Sequence, residues 1–287
     1  MWTKLSKAMV HRSPMLLFII VVLVPILLGF LYAVAYSLGL VGVLSEGFSG
    51  RAWLAVWGDG RFYTSILYSL VIGAVVLLVS VLIALCIVLG LRSYHRFRWF
   101  DLVLYIPMSF PAMVVAFVVF LFFTQSGFWA RFAYAAGLIE DISQFPSAVH
   151  DPFGAGVILA HVFLATSFFS VLFSGLYQRI RIDEKLAVSQ NLGASRFFAI
   201  RSVAVPALLQ ASVSNLVMYF IFVVGSYEIP LLLGNQKNRM ITLEAMHRFQ
   251  HYDLGRISEG YVVALSFAAA LLFVVFLLFR SLKRMSV

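Results

Sequence analysis

Few residues of this chain carry chemistry, and they lie inside or beside long apolar runs. The segment Gly225-Ser226-Tyr227-Glu228-Ile229-Pro230 interrupts one such run, and Asn215 and Tyr219 stand one helical turn apart just before it. A charge at the centre of a bilayer costs roughly 2.5–3.5 kcal/mol on insertion scales. Glu228 lies near the outer end of its run, where the cost is smaller, and facing a wet cavity would remove most of it. Pro230 removes a backbone donor and Gly225 eases unwinding. Tyr227 and Glu228 therefore line an outer gate or a cation-tolerant path, or else Glu228 pairs with Lys237 or Arg239 at the interface. Ser167, Ser170, Ser174 and Gln178 share one helical face. Such a face either bonds a neighbouring helix or forms a wall of the path. His161 points elsewhere and is expected to be a paired interior histidine. Outside the apolar runs, Glu244, His247 and His251 can share a helix face; this is a metal-binding spacing with few ligands, and an exposed helix that meets a binding protein is the competing reading.

Other chemistries are missing. There is no Gly-Lys dipeptide, hence no P-loop for a nucleotide's phosphates, and no nucleophile elbow or His-Glu-x-x-His. One cysteine, Cys86, excludes an internal disulfide, and the six histidines form no zinc-type cluster. No catalytic residue, cofactor or resident metal is expected. If the chain moves solute uphill with ATP, a separate subunit must hydrolyse it.

The polar, basic stretch Asp183–Pro206 lies between two apolar runs and carries the signals of two short helices. Asp183 can cap the first, with Glu184 beside it. Gly193 can close it, because a left-handed residue costs glycine nothing sterically. Ser195 can cap the second, which runs through Phe197, Ile200 and Val203 to Pro206, where it stops or kinks.

These residues carry a resemblance. Gly193-Ala194-Ser195, with Val203, Val205 and Pro206 following, is similar to the EAA loop of ABC-importer permeases: Glu-Ala-Ala, three residues, Gly, nine residues, an aliphatic, one residue, an aliphatic, Pro. The front half departs from it, because Ala187, Val188 and Ser189 occupy the Glu-Ala-Ala positions. The resemblance implies that Asp183, Glu184, Ala187, Leu192, Gly193, Ala194, Ser195 and Pro206 couple the chain to an ATP-binding subunit. It implies a type I importer: two permeases forming an alternating-access pore, two ATP-binding subunits inside, and an extracytoplasmic solute-binding protein outside. The lost carboxylate would suit pairing with a second, different permease. Length and the lack of extra domains most resemble the polyamine, ferric-ion, sulfate and thiamine permeases, so the solute is expected to be a polyamine or another small charged molecule. On this reading Asn215, Tyr219, Tyr227, Glu228, Ser167 and Ser170 form the substrate path. The rivals are an ion-coupled secondary transporter, which usually shows internal repeats, and a membrane scaffold without a path.

Composition positions these elements. The 287 residues are 62% hydrophobic and 11% charged, against about half and a quarter in soluble domains. The expected architecture is an all-α membrane protein, one permease domain over 1–287. It has spans near 14–36, 62–91, 102–123, 154–177, 211–233 and 260–279 and a coupling loop over 179–210. The first run is too long for a signal peptide and is read as a retained span. Pro107 and Pro111 break the third span, and Gly73, Ala74, Ser80 and Ala84 offer the second span a close helix approach. Stretches 37–61, 124–153 and 234–259 are read as loops. With the N-terminus inside, fourteen Lys and Arg fall on the inner side and seven on the outer. The positive-inside rule then places both termini and the coupling loop in the cytoplasm, and the resemblance implies a bacterial inner membrane. Cationic inner loops facing anionic lipid account for the basic balance without nucleic acid.

Overall fold

The computed structural model describes residues 17–45, 47–90 and 98–285, the side chains of 98–101, 277–279 and 281–285 excepted. The basic positions Lys4, Lys7, His11, Arg12, Arg92 and Arg96 lie outside the described residues, as does the start of the first expected span. The fold is all-α, and no strand occurs among the described residues. Six helical stretches are long and apolar enough to cross a membrane: Ile19–Ser37, Gly60–Gly90, Ala112–Ala135, Ala155–Arg179, Arg196–Val224 and Gly255–Phe276.

Thirteen α-helices are described: α1 Val24–Ser37, α2 Arg51–Trp57, α3 Gly60–Gly90, α4 Arg98–Tyr105, α5 Ala112–Phe123, α6 Phe128–Ala135, α7 Ala155–Arg179, α8 Ile182–Asn191, α9 Arg196–Ala199, α10 Val205–Val224, α11 Glu228–Leu233, α12 Ile241–Phe249 and α13 Gly255–Met285. They group into two compact units, Met1–Phe62 with Glu244–Val287, and Tyr63–Leu243.

In the first unit, α13 packs on α1 and α2. Tyr36 and Tyr261 approach to 4.7 Å between ring centroids, and Phe249 meets Tyr261 at 4.9 Å. Trp53 donates to Ser37 Oγ and Trp57 to Ser266 Oγ. Almost none of Ile19–Ser37 is buried. Arg248 ties this unit together. Its guanidinium reaches Asp59 at 2.6 Å, Glu244 at 3.1 Å and Glu259 at 2.6 Å. Burial alone would pull that guanidinium down, but the charge of Glu244, the bond it donates to Asp59 and the charge of Glu259 hold it above its ordinary value. Asp59 also accepts from the Arg61 N–H and so caps α3.

In the second unit, Ile72 and Val76 of α3 pack with Ala160, Phe169 and Phe173 of α7 and Leu208 and Val223 of α10. Within lipid, close van der Waals contact holds helices together, since leaving water contributes nothing further. Gly73 shows this: a Cβ there would stand 2.6 Å from Val224 and 3.0 Å from Phe220. Ala84 and Ser80 are buried, but Ala74 is exposed and does not belong to that contact.

Several boundaries differ from the sequence reading. The third expected span is interrupted at its prolines: α4 ends at Tyr105 and α5 begins at Ala112. Phe110 is extended, as a residue before proline must be, and Pro111 precedes the first helical residue. The stretches read as loops contain α2, α6 and α12. The fifth span ends at Val224, so Glu228–Leu233 is a separate helix beyond it.

Candidate functional site

Two places gather the candidate residues, both within Tyr63–Leu243. The first is the elbow between α7 and α10. Arg181, at φ +51, turns the chain between α7 and α8. Asp183 is not the N-cap expected of it; it lies one residue inside α8, with Glu184. There both acids favour the positive end of the helix dipole, and the Asp183 carboxylate accepts from Tyr177 Oη at 2.8 Å. Ile182 and Leu186, one turn apart, are buried and fix the helix to the body of the protein.

Gly193 takes φ +91 and ends α8, with its N–H donated to Gln190 and that of Ala194 to Ser189. Ser195 Oγ accepts the Phe198 N–H at 3.3 Å and caps α9. Pro206 does not stop the chain. A π turn, Ile200–Ala204, widens the helix so that the missing proline N–H is accommodated, and α10 continues through it. The outcome is an elbow with an apolar exterior: Leu192 is 82% and Phe197 74% exposed, with Val188 and Phe198 beside them. Ala187 and Gln190 border a cavity of about 210 Å³ that Asp183, Leu186 and Arg196 also line.

The second place is the break after α10. Gly225 ends α10, and Ser226 is held from two sides: His161 Nε2 lies 3.0 Å from its Oγ, and Thr242 Oγ1 donates to its carbonyl at 2.6 Å. His161 is thus paired and interior, 1% exposed. The far end of α11 is gripped by His150, whose Nε2 meets Leu232 O at 3.1 Å and whose N–H donates to Leu233 O at 3.0 Å. Ile229, Pro230 and Leu233 are buried, while Glu228 is exposed and Tyr227 half-buried.

The remaining path candidates separate. Tyr219 stacks on Phe168 at 5.1 Å and touches Phe169, and Asn215, one turn away, is half-buried. Ser167 and Ser170 are buried within the chain, Ser170 fully, so in this conformation their face packs against protein instead of lining open space. Glu244 is engaged with Arg248, and His251 lies past the end of α12 with its ring 6.0 Å from that of His247. Among the described residues no group of three His, Cys, Asp or Glu has a metal-binding arrangement. The sequence reading missed the bonds that hold Ser226 and α11, because His150, His161 and Thr242 are distant in the chain from the groups they meet. It also missed the apolar outside of the elbow, for which Val188, Leu192, Phe197 and Phe198 were the available signal.

Six apolar helices and a short helical elbow between the fourth and fifth make a polytopic membrane protein. The sequence pattern of the binding-protein-dependent transport system inner membrane component matches residues 83–285, and the chain belongs to that family. It is a multi-pass inner-membrane permease subunit of an ABC importer. The chain is 24% identical over 287 residues to a permease of Salmonella paratyphi A named for 2-aminoethylphosphonate transport, covering 99% of this chain and 98% of that one. It is 29% identical over 100 residues to an ABC transporter permease of Sinorhizobium fredii, y4fN, which covers 34% of this chain and 17% of that one. Its fold is similar to a chain of a bacterial ABC transporter that imports alginate, with TM-score 0.76, 14% identity and coverage of 100% and 99%. A second alginate transporter structure, in complex with a periplasmic protein bound to an alginate pentasaccharide, matches with TM-score 0.70, 16% identity and coverage of 96% and 95%.

Proposed function

We propose that this chain forms half of an alternating-access pore, beside a second and different permease, and is driven by two copies of a separate ATP-binding subunit. The elbow over residues 179–210 is the docking element. The observation that carries this reading is its apolar exterior around Gly193: side chains as large as Leu192 and Phe197 stand in the open on a polar segment, which fits a surface completed by another protein. Buried Ile182, Leu186, Ala199 and Ala204 transmit a push on the elbow to α7 and α10. Closure of the ATP-binding subunits would pull on Gly193 and its flanking helices, and the spans from the second to the sixth would rock in response. Both termini and the elbow face the cytoplasm, as the positive-inside count supports, and a solute-binding protein delivers cargo on the other side.

The solute is a small charged molecule. The full-length relatives named for 2-aminoethylphosphonate favour a solute bearing both an amine and an acid over a polyamine. Exposed Glu228 and half-buried Tyr227 stand at the outer gate, with Tyr219 and Asn215 deeper in the path. Purification of the tagged chain from its native membrane tests the reading. An ATP-hydrolysing subunit and a second permease in the complex are expected. A lone chain that moves solute down an ion gradient would replace it with a secondary transporter.

A further inference from the structure

We infer that α6, Phe128–Ala135, is an interfacial helix whose aromatic face is immersed in the headgroup boundary of the lipid bilayer. The chain turns sharply after α5. Thr124 and Gly127 are both extended, and the Gly127 N–H donates to Thr124 O at 2.8 Å. A Cβ on Gly127 would stand 2.8 Å from Leu121 O and 2.9 Å from Phe122 O, so the start of α6 lies directly against the last turn of α5. Helix α6 is therefore a separate helix that starts against the end of α5, not a straight continuation of it.

Its faces are sorted. Ala130 and Ala133 are buried and small, which lets α6 sit close on the protein. Phe128 and Phe132, one turn apart, and Trp129 beside them are all exposed. Their rings form a ladder with Phe122: 5.1 Å from Phe122 to Phe128, 5.3 Å on to Trp129 and 5.8 Å on to Phe132. Arg131 and Tyr134, three residues apart, share another exposed side. Apolar rings on one side, with a cation and a phenol on another, form the amphipathic pattern of a helix lying in the interface.

Continuity identifies lipid as the occupant. Phe117, Leu121 and Phe122 are the exposed apolar surface of a membrane-spanning helix, and the ring ladder extends that surface without a gap onto α6. Arg131 Nε donates to Ser126 O at 3.0 Å and Gln125 to Ser143 O at 2.8 Å, so side chains bond the turn from two sides. Ala148 donates to Phe123 O at 3.1 Å. Lipid anchorage of α6 thereby fixes the depth of the segment that ends in His150, which grips α11.

Spin-label depth measurement on the full chain, with its co-purified partners, in vesicles of phosphatidylethanolamine and phosphatidylglycerol, tests this. Labels are placed at Phe132→Cys and, separately, Phe128→Cys in a Cys86→Ser background. Phe117→Cys serves as the hydrocarbon reference and Tyr252→Cys, at a position 91% exposed, as the aqueous reference. Collisions with oxygen and with a water-soluble nickel chelate should place both α6 labels about 5–10 Å below the headgroup boundary. Chelate access equal to that of Tyr252→Cys would overturn the inference, because the helix would stand in water. Low access to both reagents would overturn it equally, because protein would cover the face. If Phe128→Cys fails to assemble, Phe132→Cys decides alone.

Discussion

Replacing Arg248 with leucine should cost more stability than any other single polar substitution in its unit. The Arg248 side chain is 5% exposed, and its three carboxylate partners are 7% (Glu244), 22% (Glu259) and 35% (Asp59) exposed. Removing one partner of a buried pair costs about 3–5 kcal/mol, because the charge left behind stays desolvated. Here three carboxylates lose one shared cation, so the upper part of that range applies. At about 2–4 °C per kcal/mol for a chain of this size, the melting temperature should fall by roughly 10 °C or more. Glu244→Gln leaves the cation two partners and should cost less; Glu259→Gln, nearer to water, should cost least. Thermal melts of the purified complex in detergent, followed by size-exclusion chromatography, supply the quantity. A loss under about 1 kcal/mol, the level of an exposed pair, would refute the reasoning.

Three further outcomes are expected. Gly154→Ala should destabilise the fourth span by about 2–4 kcal/mol in the same melt, since φ is +74 and the new Cβ would stand 2.5 Å from Tyr68 Oη. Gly193→Val faces strain of about 1–3 kcal/mol from φ +91 but meets nothing within 4 Å; the complex should still assemble while ATP hydrolysis no longer responds to the binding protein. Glu228→Gln should impair uptake in vesicles while assembly and coupled ATP hydrolysis survive, and unchanged uptake would remove Glu228 from the path.

The residues explain which features were legible in the sequence. Span existence follows from uninterrupted apolar length, a local property, and all six spans were readable. The Gly193 turn and the Ser195 cap were readable for the same reason: each depends on one residue and its near neighbours. Asp183 was misassigned because Arg181 takes the left-handed conformation, which moves the helix start. Pro206 was read as a stop or kink; it does not stop the helix, because the π turn before it absorbs the missing donor. The Arg248 cluster joins Asp59 to residues nearly two hundred positions later, and no spacing in the sequence marks such a pairing. Ser167 and Ser170 matched a path at helical spacing, yet the same spacing also matches a packed seam, and the sequence shows nothing of the burial both have in this conformation.

The measurement closest to the central claim is a site-specific crosslink from the tip of the elbow. A photoreactive thiol label at Leu192→Cys, in a Cys86→Ser background and in native membranes, should capture a nucleotide-hydrolysing subunit, and ATP should change the yield. Labelling of Leu192→Cys in intact cells by a membrane-impermeant reagent, with no such subunit captured, would put the elbow on the wrong side of the membrane and contradict the account.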